Sequence, residues 1–219
     1  THAVGVPGAS GEQGVGGTST NNAPTGVDFA NGNTALGVEW HSAADFMADG
    51  LKVSASFSTD NGAAKTATAR LENSWGVGAT YVTSAGDTAV TIGGGISDGE
   101  IANNGTQSPD QGGFNVGVSA VTGDLTIGVG YGDGDTFVAN DATATSNRQV
   151  DGSVTLMGAS YVTGDITLAI GVTSGEAKDS DTFGTAGTTD DSTDSTSASV
   201  TYAVASGVSA VVGYTTVDT

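Results

Sequence analysis

The sequence predicts an all-β fold in which serial antiparallel hairpins, about ten strands in all, build the wall of a transmembrane β-barrel. Three observations carry the prediction. Segments of ~10 residues alternate apolar and small polar side chains, the period of a strand with one greasy face. Glycine-turned hairpins recur along the chain, with Gly50, Gly86, Gly123, Gly164 and Gly207 spaced 36, 37, 41 and 43 residues apart. Aromatic side chains stand at the two ends of the apolar faces, while Val, Ile, Leu, Ala and Gly fill the middle.

Residues 1–33 are rich in Gly, Ser, Thr and Asn without periodicity and read as a long loop or extended segment. Alternation begins at 35–41, where Leu36, Val38 and Trp40 oppose Gly37, Glu39 and His41. After Asp49-Gly50 the return arm sets Leu51, Val53, Ala55 and Phe57 against Lys52, Ser54, Ser56 and Ser58. The second hairpin sets Trp75, Val77, Ala79 and Tyr81 against Gly76, Gly78 and Thr80, turns through 84–87, and returns with Val90, Ile92, Gly94 and Ile96. Extending its first arm back to Lys65 would put Arg70 and Glu72 on the polar face. A polar loop is expected over 97–113.

The third hairpin, 114–132, is the clearest. Phe114, Val116, Val118 and Ala120 share one face, Leu125, Ile127, Val129 and Tyr131 continue it, and Gly123-Asp124 supply the positive φ of a tight turn. A loop follows from 133 to about 149. In the fourth hairpin, turned at Gly164-Asp165, Val154 and Leu156 fall opposite Met157, Ala159 and Tyr161, which calls for a bulge or a locally apolar interior. Another loop, 174–195, precedes the fifth hairpin. There Ala198, Val200, Tyr202 and Val204 lead to Ser206-Gly207, and Val208, Ala210, Val212 and Tyr214 return. Short turns at one end and longer acidic loops at the other match the two ends of a membrane barrel.

Composition narrows the function classes. The 219 residues include 36 Gly, 3 Pro and no Cys, which excludes disulfides and thiolate metal sites. A net charge of −19 argues against nucleic acid as a partner. Acids cluster at 179–181 and 190–194, expected to be solvated loops, with weak Ca2+ binding as the sharper alternative. No other cofactor is expected. No apolar run reaches the ~20 residues of a membrane helix, a limit that leaves a barrel open.

The aromatics sort by height. Trp40, Tyr81, Tyr161 and Tyr202 stand near the tight turns, and Phe57, Trp75, Phe114, Tyr131 and Tyr214 near the loops. Trp75 and Tyr81 are ~20 Å apart along a strand, near the ~25 Å apolar band of an outer-membrane barrel, so these nine are the expected interface belts. A soluble sandwich would hold its large aromatics in the middle of its core. The opposite faces, Gly, Ser and Thr with scattered charge, suit a water-filled lumen. Glu39, His41, Lys52, Arg70 and Glu72 are the pore-lining candidates, read either as opposed charges that would set a transverse field across a narrow point or as scattered solubilising charge in a wet interior.

Nothing makes a persuasive enzyme. The histidines are His2 and His41, and a Ser-His-Asp arrangement would have to use His41 beside Ser42. Residues 128–135 resemble one calcium-binding β-roll repeat, which needs consecutive copies, and Gly93 to Gly95 lack the Lys-Ser/Thr of a phosphate loop.

The segments ENSWGVGATYVTSAGDTAVTIGGGISDG, GGFNVGVSAVTGDLTIGVGYGDGD and SASVTYAVASGVSAVVGYTTVD resemble the general diffusion porins of Gram-negative bacteria, particularly the alphaproteobacterial type. The resemblance spans about 32–218. It implies a sixteen-stranded barrel, usually trimeric, set in the lipid and lipopolysaccharide of the outer membrane and passing small hydrophilic solutes passively. The chain departs from that pattern by its ten strands and by lacking the terminal closing aromatic, so it is expected to be an internal portion of a longer porin. Residues 1–33 would then be the end of the constriction loop, with Glu12 and Asp28 as its acids. The alternative is a secreted or surface-layer, adhesin-like β-rich structural protein.

Overall fold

The computed structural model describes residues 37–58, 70–102, 112–138, 148–178 and 190–218. Within them lie ten strands: β1 (Gly37–His41), β2 (Leu51–Ser58), β3 (Arg70–Ala85), β4 (Thr88–Ala102), β5 (Gly113–Thr122), β6 (Leu125–Val138), β7 (Arg148–Thr163), β8 (Ile166–Lys178), β9 (Asp190–Ala205) and β10 (Val208–Asp218). They form one sheet in chain order, each strand antiparallel to its sequence neighbours, with β1 and β10 at the two edges. Residues 1–33, and with them the reading of Glu12 and Asp28, lie outside the described residues.

The five turn glycines all adopt positive φ, from +56° at Gly123 to +80° at Gly50. In Gly86-Asp87, Gly123-Asp124 and Gly164-Asp165 only the glycine does so, not the aspartate as well. A left-handed first position followed by an ordinary second one is the type II′ arrangement, whose twist matches that of the flanking strands. Ser206-Gly207 places its glycine second, and the register slips between Val208 and Ser209, the bulge that accommodates that order. The turn between β1 and β2 is longer. Asp45 Oδ1 accepts the Gly50 amide at 2.7 Å, and the Phe46 ring meets Trp40 edge-on at 5.7 Å.

At the other end the strands outrun the sequence expectation. β4 continues to Ala102, β6 to Val138 and β8 to Lys178, while β9 begins at Asp190, so 97–102, 133–138, 174–178 and 190–195 are strand, not loop. The acids 190–194 therefore belong to β9, and 179–181 lie outside the described residues. The reason is physical: these ends lack the apolar alternation in sequence that marks a strand, while their backbone pairing continues. β3, at 16 residues, is ~50 Å long, about twice the apolar band.

A packed core is missing among the described residues. Their buried apolar side chain is Val154, whereas Trp75, Val77, Ile92, Ile96, Val116, Ile127, Val129, Leu168, Ile170 and Val200 are all exposed on one face. A single sheet with an exposed apolar face needs an apolar medium or partner against it, which a two-layered soluble sandwich would supply internally. The other face carries the least exposed side chains, Ser54, Ser97 and Thr173 among them, the crowding of the concave side of a curled sheet.

Candidate functional site

The concave face is the candidate site, and register determines its membership. Cross-strand partners lie on the same face, so the row Ser54, Gly78, Gly95, Asn115, Gly132, Val154 and Gly175 runs continuously from β2 to β8. Most of its neighbours are Gly, Ser, Thr and Ala, with Leu156 on β7 as an apolar exception. Among the described side chains, the charged groups of this face are confined to the first two strands: Glu39 and His41 on β1 and Lys52 on β2.

These three converge. His41 Nε2 lies 2.9 Å from Glu39 Oε1, a contact made possible because residues two apart on a strand share a face. His41 stands opposite Ser54, and His41, Ser42, Lys52, Val53 and Thr80 line a cleft of about 260 Å³. Ser42 Oγ accepts the Val53 amide at 2.9 Å, so that hydroxyl braces the strand pair instead of facing His41 as a nucleophile.

Arg70 and Glu72 do not join this group. Lys52 pairs with Thr80, and Glu72 lies eight residues further along β3, ~26 Å away, opposite Glu100. The β3–β4 register also shifts between Glu72 and Trp75. One extra residue at such a shift interrupts the strict alternation by which these two were expected on the polar face. Their side chains lie outside what the structure describes.

The nine aromatics are all exposed on the convex face. Trp40, Tyr81, Tyr161 and Tyr202 lie towards the short turns, with Tyr161 opposite Leu125 and Tyr202 opposite Ile166. Towards the other end Phe57 pairs with Trp75, Phe114 and Tyr131 approach to 5.9 Å, and Tyr214 stands opposite Ala198. Beyond this second row the convex face turns acidic. Asp98 stands opposite Trp75 and Asp133 opposite Phe114, with Asp133 accepting the Tyr131 hydroxyl at 3.1 Å.

The irregular arm of the fourth hairpin resolves in favour of an apolar interior. β7 keeps unbroken register with β6 and β8, so Val154 and Leu156 face inward, opposite Gly132 and Gly130. Sequence reasoning did not single out Ser97 or Asn115, which lie on the same wall. Ser97 fell in an expected loop, and Asn115 is one polar residue in an alternating arm. Neither position has a signal beyond parity.

Residues 3–219 match the protein family described as Gram-negative porin. Among solved structures, the chain is similar to outer-membrane expressed OmpT of Vibrio cholerae at 20% identity and a TM-score of 0.55, over 83% of this chain and 54% of that one. It is also similar to a loop L8 deletion mutant of OmpT (21%, TM-score 0.53, 84% and 58% covered) and to a trimer form of in-vitro folded OmpT (21%, 0.54, 83% and 54%). The chain thus spans a little over half the length of these proteins. No curated protein sequence matches it. The structural likeness shows the fold: the ten-stranded sheet is wall of an outer-membrane β-barrel.

Proposed function

Since the chain belongs to the Gram-negative porin family and resides in the outer membrane, we propose that it walls a water-filled channel for passive diffusion of small hydrophilic solutes and ions. The observation that carries this reading is the division of one sheet into two unlike faces. The convex face is apolar between two rows of aromatics and suits lipid, whereas the concave face is lined by Gly, Ser and Thr, groups that water solvates readily. The channel acts by excluding the bilayer, not by chemistry, and needs no catalytic group. Glu39, His41 and Lys52 are its charge-discriminating residues, because charges on a wall that is otherwise neutral set the local field. The acids beyond the upper aromatics, Asp98 and Asp133, stand where lipopolysaccharide headgroups would meet the wall. Three copies assemble, as in the trimer form of the similar OmpT.

Single-channel recording of the native, detergent-extracted protein in planar bilayers tests this directly. Stepwise openings in groups of three, ohmic in KCl, are expected. A membrane that stays silent after protein insertion is demonstrated by protease protection would refute the channel.

A further inference from the structure

Four of the five short connections are two-residue turns with polar tips: Gly86-Asp87, Gly123-Asp124, Gly164-Asp165 and Ser206-Gly207. The fifth, over 42–50 between β1 and β2, is longer and carries Phe46 and Met47. Its shape is held by its own bonds. The Phe46 amide donates to the Leu51 carbonyl at 2.8 Å, the Leu51 amide to the Ala48 carbonyl at 3.1 Å, and the Gly50 amide to Asp45 Oδ1 at 2.7 Å. Asp45 and Met47 both hold a left-handed backbone, with φ of +61° and +63°. Residues with side chains take up that conformation only where the surrounding structure imposes it.

What the strained backbone sets in place is apolar and lies on the convex side. The Phe46 ring meets Trp40 edge-on, at 5.7 Å and 78° between planes. Trp40 belongs to the turn-side aromatic row and is 47% exposed, so Phe46 continues that row past the end of β1. Beside it Met47 is 88% exposed, the most exposed large hydrophobic side chain among the described residues. A fixed, uncovered apolar pair that adjoins the lipid-facing surface calls for the same medium as that surface.

We infer that the turn over 42–50 is a membrane foot, whose Phe46 and Met47 lie in the phospholipid leaflet at the short-turn end while the tips of the other four turns stand in water. The depth is the boundary between headgroups and acyl chains, where rings and other apolar side chains on a polar backbone settle. Methionine suits that boundary, because its unbranched, polarizable thioether adapts to irregular surroundings. The neighbouring Asp45 carboxylate is occupied by the Gly50 amide, and Asp49 remains in the headgroup layer. The foot pins the first hairpin at one depth. It requires an outer-membrane wall and does not depend on whether that wall encloses a channel.

The sequence holds two methionines, and Met157 lies on the convex face within the apolar band, so the native protein carries its own reference. Native protein in phospholipid nanodiscs, where water reaches both leaflets, is treated with the charged oxidant chloramine-T, and sulfoxide is followed at each methionine by peptide mass spectrometry. Both are expected to oxidise much more slowly than in the urea-unfolded chain. Oxidation of Met47 at the unfolded rate, with Met157 protected, would overturn the foot. A second copy covering the turn would protect Met47 equally, so a second measurement reads lipid itself. The chain has no Cys, and Met47→Cys therefore accepts a single NBD fluorophore. Its emission should lie to the blue of the same label on Asp124→Cys and be quenched by phospholipids spin-labelled on the acyl chain, whereas the label at 124 should be quenched by aqueous iodide. A label at 47 that the spin-labelled lipids leave bright would overturn the foot even where Met47 resists oxidation.

Discussion

Gly50 and Gly123 share a left-handed backbone, with φ of +80° and +56°, but not a neighbourhood. A Cβ at Gly123 would meet open space, whereas one at Gly50 would lie 1.9 Å from the Val82 carbonyl oxygen, next to the bond that the Val82 amide donates to Gly50. Gly123→Ala should therefore cost only the left-handed strain, about 1–2 kcal/mol. Gly50→Ala adds a collision with backbone and should cost about 3–5 kcal/mol or prevent assembly of the first hairpin. Unfolding by guanidinium in detergent, followed by Trp40 and Trp75 fluorescence, checks the order. Equal losses would show that the backbone at Val82 gives way to the added methyl group. At this scale the turn glycines were legible in the sequence, because a tight hairpin asks for one residue type at one place. Ser97 was not: its burial depends on strands brought alongside it by register, and no local pattern encodes that.

A strand face is read by parity, which makes substitutions at adjacent positions a sharp comparison. Ile127 is half exposed on the convex face in the middle of the apolar band, and Thr126 next to it faces inward opposite Ser160. Lysine at 127 should destabilise the inserted protein by about 2–4 kcal/mol, the range for a cation at the bilayer midplane. Lysine at 126 should leave stability nearly unchanged and shift ion preference towards anions. Equilibrium unfolding from lipid vesicles and zero-current potentials separate the two, and similar losses at both sites would argue against a lipid-facing 127. The same parity made it legible that Glu39, His41 and Lys52 share a face. For Arg70 and Glu72 the register shift after Glu72 interrupts the count, and their side chains lie outside the described residues. Strand ends are hard to read for a related reason: 97–102 and 190–195 carry no apolar alternation in sequence, yet their backbones stay paired. At 154–156 the break in pattern was visible, and only the unbroken ladders on either side could tell an apolar interior from a bulge.

For the molecule as a whole, charge is distributed unevenly between chain and wall. The sequence carries a net −19, but most of the described inner face is uncharged, with Lys52 as its described cationic side chain. Lys52→Glu reverses that charge and should move the zero-current potential in a KCl gradient towards the cation limit; no movement would remove Lys52 from the permeation path. The fold class was readable at this scale because one hairpin pattern recurs five times, whereas the curl of the sheet and the crowding of its concave side emerge only when the strands are assembled.

Strand order that follows chain order also bears on how such a wall could change over generations. Each short turn returns the chain to the side from which it came, so a whole hairpin could be duplicated or deleted without carrying either flank across the membrane. A single strand could not. Barrel circumference is then heritable in steps of two strands, while the outer connections remain free to diverge in length without disturbing a single ladder pair.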